Sequence, residues 1–267
     1  MTELVKVNID NHVADVRLNR PDKYNALSPE MFAAIIETGK ALANDRSVRA
    51  VVISGEGRGF CAGLDFQSFA EMGGGRKKGS DLFERTPGQK ANNAQMPGMV
   101  WKQVPVPVIA AIHGVAFGGG LQIALGADIR LAAPDARFSV MEIKWGLVPD
   151  MSLTQTLRDL VRIDVAKELT FSGRIVEAAE AEKLGLVTGV CDQPLEEALR
   201  MAAELAAKSP HAVSAAKHLL ERAWHSDDEA GLWLEESLQR SLIGTPNQIE
   251  AVTANFEKRP PKFADRD

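Results

Sequence analysis

The chain has little with which to build a cross-linked, membrane-spanning or nucleic-acid-binding protein. Its only cysteines, Cys61 and Cys191, are too few for a disulfide framework and lack the Cys-x-x-Cys spacing of metal or redox sites. Two reduced structural thiols are expected. No apolar run is long enough to cross a bilayer, the longest candidate being the interrupted stretch 104–116. The opening Met1-Thr2-Glu3-Leu4-Val5-Lys6 carries an acid and leads into no long apolar region, so no signal peptide is read there. Positive charge is not in excess either. A formal net charge of −5 argues against the basic face of a nucleic-acid binder, while leaving enough local lysines and arginines for an anionic ligand. The expectation is a cytoplasmic protein that engages neither membrane nor nucleic acid. Solenoid repeats and low-complexity tracts are also missing. What is present, 45% apolar and 25% charged residues over a length of 267, suits one large domain or one domain with a helical extension.

Residues 4–9 and 13–18 are β-prone runs around Asp10-Asn11-His12 and predict an opening hairpin. Ser28 offers an N-cap with Pro29 in the first helical position, and Phe32, Ile35, Ile36, Gly39, Leu42 and Ala43 follow on one helical face. Within 48–54, Ala50-Val51-Val52-Ile53 is a near-continuous apolar run of the kind found in strands covered on both sides. From 67 to 98 the pattern dissolves around Gly73-Gly74-Gly75 and Arg76-Lys77-Lys78, predicting a lid-like excursion with some helix. A strand at 106–113, a helix opened by Gly118-Gly119-Gly120 and running to 126, and a strand at 128–132 complete an α/β core. Helices are then expected at 153–161, 164–170, 177–184, 195–208, 209–224, 228–242 and 246–257, with one late strand at 185–191. This divides the chain into a core, 1–194, and a C-terminal helical region, 195–267.

Two glycine-rich stretches carry the chemistry. The first, Gly55-Glu56-Gly57-Arg58-Gly59-Phe60-Cys61-Ala62-Gly63-Leu64-Asp65, follows a strand, where glycine lets backbone N–H groups approach a ligand. Gly57-x-Gly59-x-x-Ala62 formally fits a dinucleotide fingerprint, but the excursion stands where that motif needs a helix and a second strand. The second, His113 followed by Gly114-Val115-Ala116-Phe117-Gly118-Gly119-Gly120-Leu121-Gln122, turns a strand into a helix whose free N–H groups suit a developing oxyanion. A tight turn with close helix packing is the plainer alternative.

Taken together, Phe60-x-Ala62-Gly63-x-Asp65 and the triple glycine resemble the two oxyanion-hole segments of the crotonase (enoyl-CoA hydratase/isomerase) superfamily. Asn19-Arg20-Pro21, Asn25-Ala26-Leu27, and Ala136-Arg137-Phe138-Ser139-Val140-Met141-Glu142 with Gly146-Leu147-Val148-Pro149 resemble further signatures of the same family. The resemblance implies an α/β crotonase-like spiral of β-β-α units with a C-terminal helical trimerisation region, assembled as a homotrimer or homohexamer. It implies an acyl-CoA thioester as substrate, held by the backbone N–H groups of Leu64 and Gly119, with no metal and no cofactor beyond the coenzyme A that the substrate brings. It further assigns Lys23, Ala26, Ala62, Asp65, Gln122 and Phe263 to substrate binding, Lys23 near the CoA phosphates and Phe263 reaching the CoA from the same or a neighbouring subunit.

The carboxylates bear on the reaction. Family hydratases generally use two glutamates, whereas this chain has Gln122 at the first position and Glu142 at the second. An amide can hold a water or a polar substituent but cannot exchange protons at neutral pH. Asp150 stands where hydratases usually carry glycine, and the Glu142/Asp150 interval resembles the dienoyl-CoA isomerase branch. Double-bond isomerisation by Glu142 and Asp150 is therefore the expected activity. Hydration through Glu142 alone, a nucleophilic Asp150 as in aryl-CoA dehalogenases, and a non-catalytic acyl-CoA binder are the alternatives. In structural terms Asp150 is open to reading as a helix N-cap, and Glu142 as half of a salt bridge. His211, His218 and His225 recur along one helix at a spacing of about 10 Å, too wide to share a metal.

Overall fold

The computed structural model describes residues 3–65, 67 and 81–266; the centre of the glycine-rich excursion lies outside the described residues. Strands β1 (Val5–Asp10) and β2 (Val13–Leu18) pair antiparallel, as the hairpin reading requires. Asn11 and His12 form the two-residue tip with φ of 47° and 67°, the left-handed pair that suits the twist of a tight hairpin. Helix α1 (Pro29–Asn44) begins as expected, with the Ser28 hydroxyl accepting from Met31 N–H.

Strands β3 (Ala50–Gly55), β4 (Val108–Ile112), β6 (Ile129–Ala132) and β9 (Gly189–Val190) continue from the hairpin as one six-stranded sheet in the order β1-β2-β3-β4-β6-β9, parallel from β2 onward. Three very short strands, β5 (Val115–Phe117), β7 (Arg137–Ser139) and β8 (Val176–Glu177), make a second sheet in the order β5-β7-β8. Consecutive strands thus divide between the sheets: β4 lies in the first and β5 in the second, and α3 (Gly119–Ala124) follows. This is a β-β-α unit.

The apolar runs explain themselves in the packing. On β3, Val51 and Ile53 enter the main core while Ala50 and Val52 face the other side, and β4 divides in the same way between Ala110 and Ala111. That other side is covered by α7 (Pro194–Ala206), through Ala198, Ala202 and Ala206 at four-residue spacing. The first helix past position 194 therefore spends its buried face on the core sheet. Beyond it, α8 (Pro210–Ala223), α9 (Asp228–Leu242) and α10 (Pro246–Glu257) form the helical arm, with Ser209 and Thr245 capping α8 and α10.

Three elements depart from the sequence expectation. Helix α2 (Met96–Gln103) starts at the end of the 67–98 excursion, expected to hold some helix, and runs five residues past it; Pro97 and Gly98 look like breakers, but Pro97 sits in the first turn. Gly98 is a contact point where an added Cβ would stand 2.8 Å from the Met151 carbonyl oxygen. The helix expected at 153–161 closes after α4 (Leu153–Thr156), because tertiary contacts take the remainder: Asp159 meets His225 at 3.0 Å and the Leu160 carbonyl lies against Gly185. The late strand is two residues long. Helices α5 (Ile163–Ser172) and α6 (Ala178–Leu184) match their patterns to within two residues at each end. Among the described residues no helix is long and apolar enough to cross a membrane.

Candidate active site

The first site segment leaves the end of β3 and is moulded by one side chain. Asn25, fully buried, places its amide nitrogen 3.0, 2.9 and 3.1 Å from the carbonyls of Glu56, Gly59 and Phe60, and its oxygen accepts from Arg20 N–H. The segment is then stitched to β5: Cys61 N–H donates to Val115 O and Phe117 N–H to Cys61 O, each at 3.0 Å. Glycines permit this approach. Gly63 has φ +89°, and an added Cβ would meet the Phe117 carbonyl at 2.7 Å and stand 3.6 Å from the Gly119 nitrogen; one added at Gly120 would collide with the Cys61 carbonyl. Gly118 combines φ 51° with ψ −120°, a backbone region that side chains disfavour.

Leu64 is bridged to Leu27 through its neighbours, Leu27 N–H donating to Gly63 O and Asp65 N–H to Leu27 O. Leu64's own N–H consequently points to the other side of the bridge. Among the described residues neither that N–H nor the one of Gly119 donates a hydrogen bond. The structure therefore brings the two expected donors together and leaves both unengaged.

Glu142 opens a 3-10 turn, Glu142–Trp145, beyond β7. Its Oε1 accepts from Gln122 Nε2 at 2.6 Å and would lie 3.4 Å from a Cβ on Gly118, while its Oε2 is buried with no hydrogen-bond partner among the described residues. Among the described residues Glu142 forms no salt bridge, and its side-chain hydrogen-bond partner is the Gln122 amide. Gln122 in turn accepts from Met151 N–H at 2.9 Å and Leu153 N–H at 3.1 Å. Burial pushes the Glu142 carboxyl above its ordinary value, its own backbone N–H and then the Gln122 hydrogen bond oppose that rise, and the charge of Asp150 adds a smaller push upward. Asp150 is exposed as a residue, yet partial desolvation of its carboxyl raises its pKa as well. It caps no helix, since Ser152 stands at the start of α4.

The other expected contacts are scattered. Lys23 is exposed and close enough to Asp65 to help hold that carboxyl below its usual range, behind the larger effects of the Gln67 N–H and Arg20. Asp65 is buried against Arg20 at 2.7 Å, and Arg20 also donates to Ala26 O. Ala62 N–H donates to Tyr24 O. Asp65 and Ala26 thus brace the Leu64 loop. Phe263 is not brought to this place within the chain: its carbonyl accepts from Arg49, and Asp265 pairs with Arg49, at the start of β3, about 20 Å of strand from the site loop. His211 and His225 do not converge, lying against Asn247 and Asp159, and no cluster of metal-ligating side chains occurs among the described residues. Asn25, Arg20 and Met151 escaped the sequence reading as site-building groups; Asn25 and Arg20 lie in its motifs but carry no signal of what their side chains hold.

An α/β spiral that sets two unengaged backbone donors beside a carboxylate with one unpaired buried oxygen defines the crotonase class, in which donors receive a thioester oxygen and the carboxylate handles a proton. The comparisons with known proteins agree. The profile of the Enoyl-CoA hydratase/isomerase family matches residues 8–266, and the chain belongs to that family and is an enzyme of it. It is 34% identical over 253 residues to the mitochondrial methylglutaconyl-CoA hydratase of Mus musculus, covering 92% of this chain and 77% of that one. It is 32% identical over 271 residues to the peroxisomal Delta(3,5)-Delta(2,4)-dienoyl-CoA isomerase of Arabidopsis thaliana, covering 98% and 96%. The crystal structure of an enoyl-CoA hydratase of Mycobacterium smegmatis superposes with a TM-score of 0.86 at 32% identity, covering 97% and 98%.

Proposed function

We propose that this enzyme moves a double bond along an unsaturated acyl-CoA thioester. The thioester oxygen is received by the N–H groups of Leu64 and Gly119, which stabilise the enolate formed when a proton leaves the acyl chain. One of Glu142 and Asp150 takes that proton and the other supplies one at a separated carbon of the conjugated system. The supporting observation is that Asp150 lies near enough to Glu142 for its charge to add, behind the larger effect of burial, to the rise of the Glu142 carboxyl, while partial burial raises Asp150 as well, so two carboxyls of raised pKa stand by one site, as an acid and a base would. Coenzyme A enters as part of the substrate, with Lys23, Ala26 and Ala62 assigned to substrate contacts and Phe263 reaching the CoA from a neighbouring subunit.

Hydration is the second reading, with Glu142 as the single acid/base, and is favoured by the likeness to a methylglutaconyl-CoA hydratase. A panel of enoyl- and dienoyl-CoA esters, followed by ultraviolet absorbance and mass, separates the two: isomerisation leaves the mass unchanged, and hydration adds a water.

The helical arm exposes Leu220, Trp224, Leu232, Trp233 and Phe256, each more than half accessible, and this apolar surface supports assembly as a homotrimer or homohexamer. Light scattering coupled to size exclusion that returns a monomer at micromolar concentration overturns the assembly.

A further inference from the structure

We infer that Gln122 is a positioning residue: its amide ties Glu142 to the loop that carries Asp150 and selects Oε2 of Glu142 as the oxygen that handles the proton. The inference rests on the reading of Glu142 as the acid/base group and deepens it. Gln122 lies on α3 with 1% of its surface accessible, and the polar atoms of its amide are turned to protein groups. Both ends of its amide are committed: Nε2 donates to Glu142 Oε1 at 2.6 Å, and Oε1 accepts from Met151 N–H at 2.9 Å and Leu153 N–H at 3.1 Å. Met151 is the residue next to Asp150. One planar group of fixed width thereby sets the separation between the two acids. Helix α2 packs against the backbone at both ends of this link, a Cβ on Gly98 standing 3.0 Å from the Gln122 backbone carbonyl oxygen and 2.8 Å from that of Met151.

The amide also has the one polarity that fits. A carboxylate at position 122 would still accept from the Met151 and Leu153 N–H groups, but would turn an oxygen toward Glu142 Oε1, and two such oxygens in contact must share a proton. A thioether would fit the space and satisfy neither neighbour. With Oε1 bound, Oε2 is the carboxylate oxygen without a hydrogen-bond partner among the described residues, and the donor from Gln122 favours the charged form that burial opposes. Asp150 is the other charged group bearing on Glu142 among the described residues, and it acts in the opposite direction.

The test is the pH profile of kcat/KM for Gln122→Glu and Gln122→Met, assayed on the intact enzyme with whichever CoA ester it turns over. Both substitutions should move the acidic limb upward by about one pH unit or more, through an added neighbouring charge in the first and a lost donor in the second. KM should stay within about twofold. Gln122→Glu keeps the acceptor for the 151–153 loop, so it remains interpretable if Gln122→Met fails to fold. An unmoved limb with a raised KM would show that Gln122 touches substrate, and an unmoved limb with only a lower melting temperature would reduce it to a structural part; either result overturns the inference. A hydrated product from the unsubstituted enzyme would instead sink the isomerase reading and leave this test intact, because Glu142 carries the acidic limb in both reactions.

Discussion

Lys217 Nζ donates to Asp128 Oδ2 at 2.7 Å, and that same oxygen accepts from Val108 N–H at 2.7 Å, so one carboxylate anchors the helical arm and the start of β4 together. The lysine also donates to the carbonyls of Trp101 and Val106, and its nearly complete burial pushes its pKa down despite the acid beside it. Asp128→Asn leaves a buried ammonium without its counter-charge and should destabilise the protein by about 3–5 kcal/mol. Lys217→Met should cost less, since it removes the charge that needs the partner. Denaturant titration of the two variants checks the order; a larger loss for Lys217→Met refutes it.

For the proposed reaction, Glu142→Gln and Asp150→Asn should each lower turnover by at least about a hundredfold while leaving CoA-ester affinity little changed. These substitutions keep shape and remove titration. Near-full activity in Asp150→Asn beside a dead Glu142→Gln would reduce the chemistry to a single glutamate.

The pH dependence has opposite signs for rate and stability. The folded-state pKa of Glu142 is raised above its ordinary value, so a rate that needs the carboxylate is complete above that pKa and lost as pH falls through it. Holding the group ionised disfavours the fold above its ordinary pKa, and the penalty lessens as pH falls toward that value. Glu142→Gln should therefore melt at or above the temperature of the unsubstituted enzyme near neutral pH. A clearly lower melting temperature there contradicts the direction of the shift.

Gly63→Ala tests the approach of the two glycine segments. With φ at +89° and the Phe117 carbonyl 2.7 Å from the new methyl, the backbone must shift, at a cost of about 1–3 kcal/mol. The shift parts the donors of Leu64 and Gly119. A loss of about a hundredfold or more in kcat is expected, the scale on which one oxyanion donor counts; unchanged kcat in a folded variant would remove Leu64 from the site.

The elements legible in the sequence are those whose local pattern and tertiary role coincide. Ser28-Pro29 begins a helix by capping and φ alone, and the apolar run at 50–53 reads as doubly covered because α7 and the main core do cover it. The second sheet was not legible, since strands of two or three residues, such as Val176–Glu177, are shorter than any periodicity. Helix α2 was hidden by Gly98, which is glycine for what touches it and not for its own conformation. Leu64, Gly119, Glu142 and Asp150 came from the family's motifs, which carry their spacing in the chain and not the contacts around them. The job of Gln122 was not legible, because an amide's partners lie 20 and 29 residues away in the sequence.

The stitching of Cys61 to Val115 and Phe117 joins segments separated by more than fifty residues, and the two unengaged N–H groups have no common position until it forms. Fragments or partly ordered intermediates that already possess the hairpin and α1 should therefore show no activity if those N–H groups hold the thioester. In a refolding experiment, recovery of activity should lag behind recovery of helical signal, because the site is the product of a late, long-range closure.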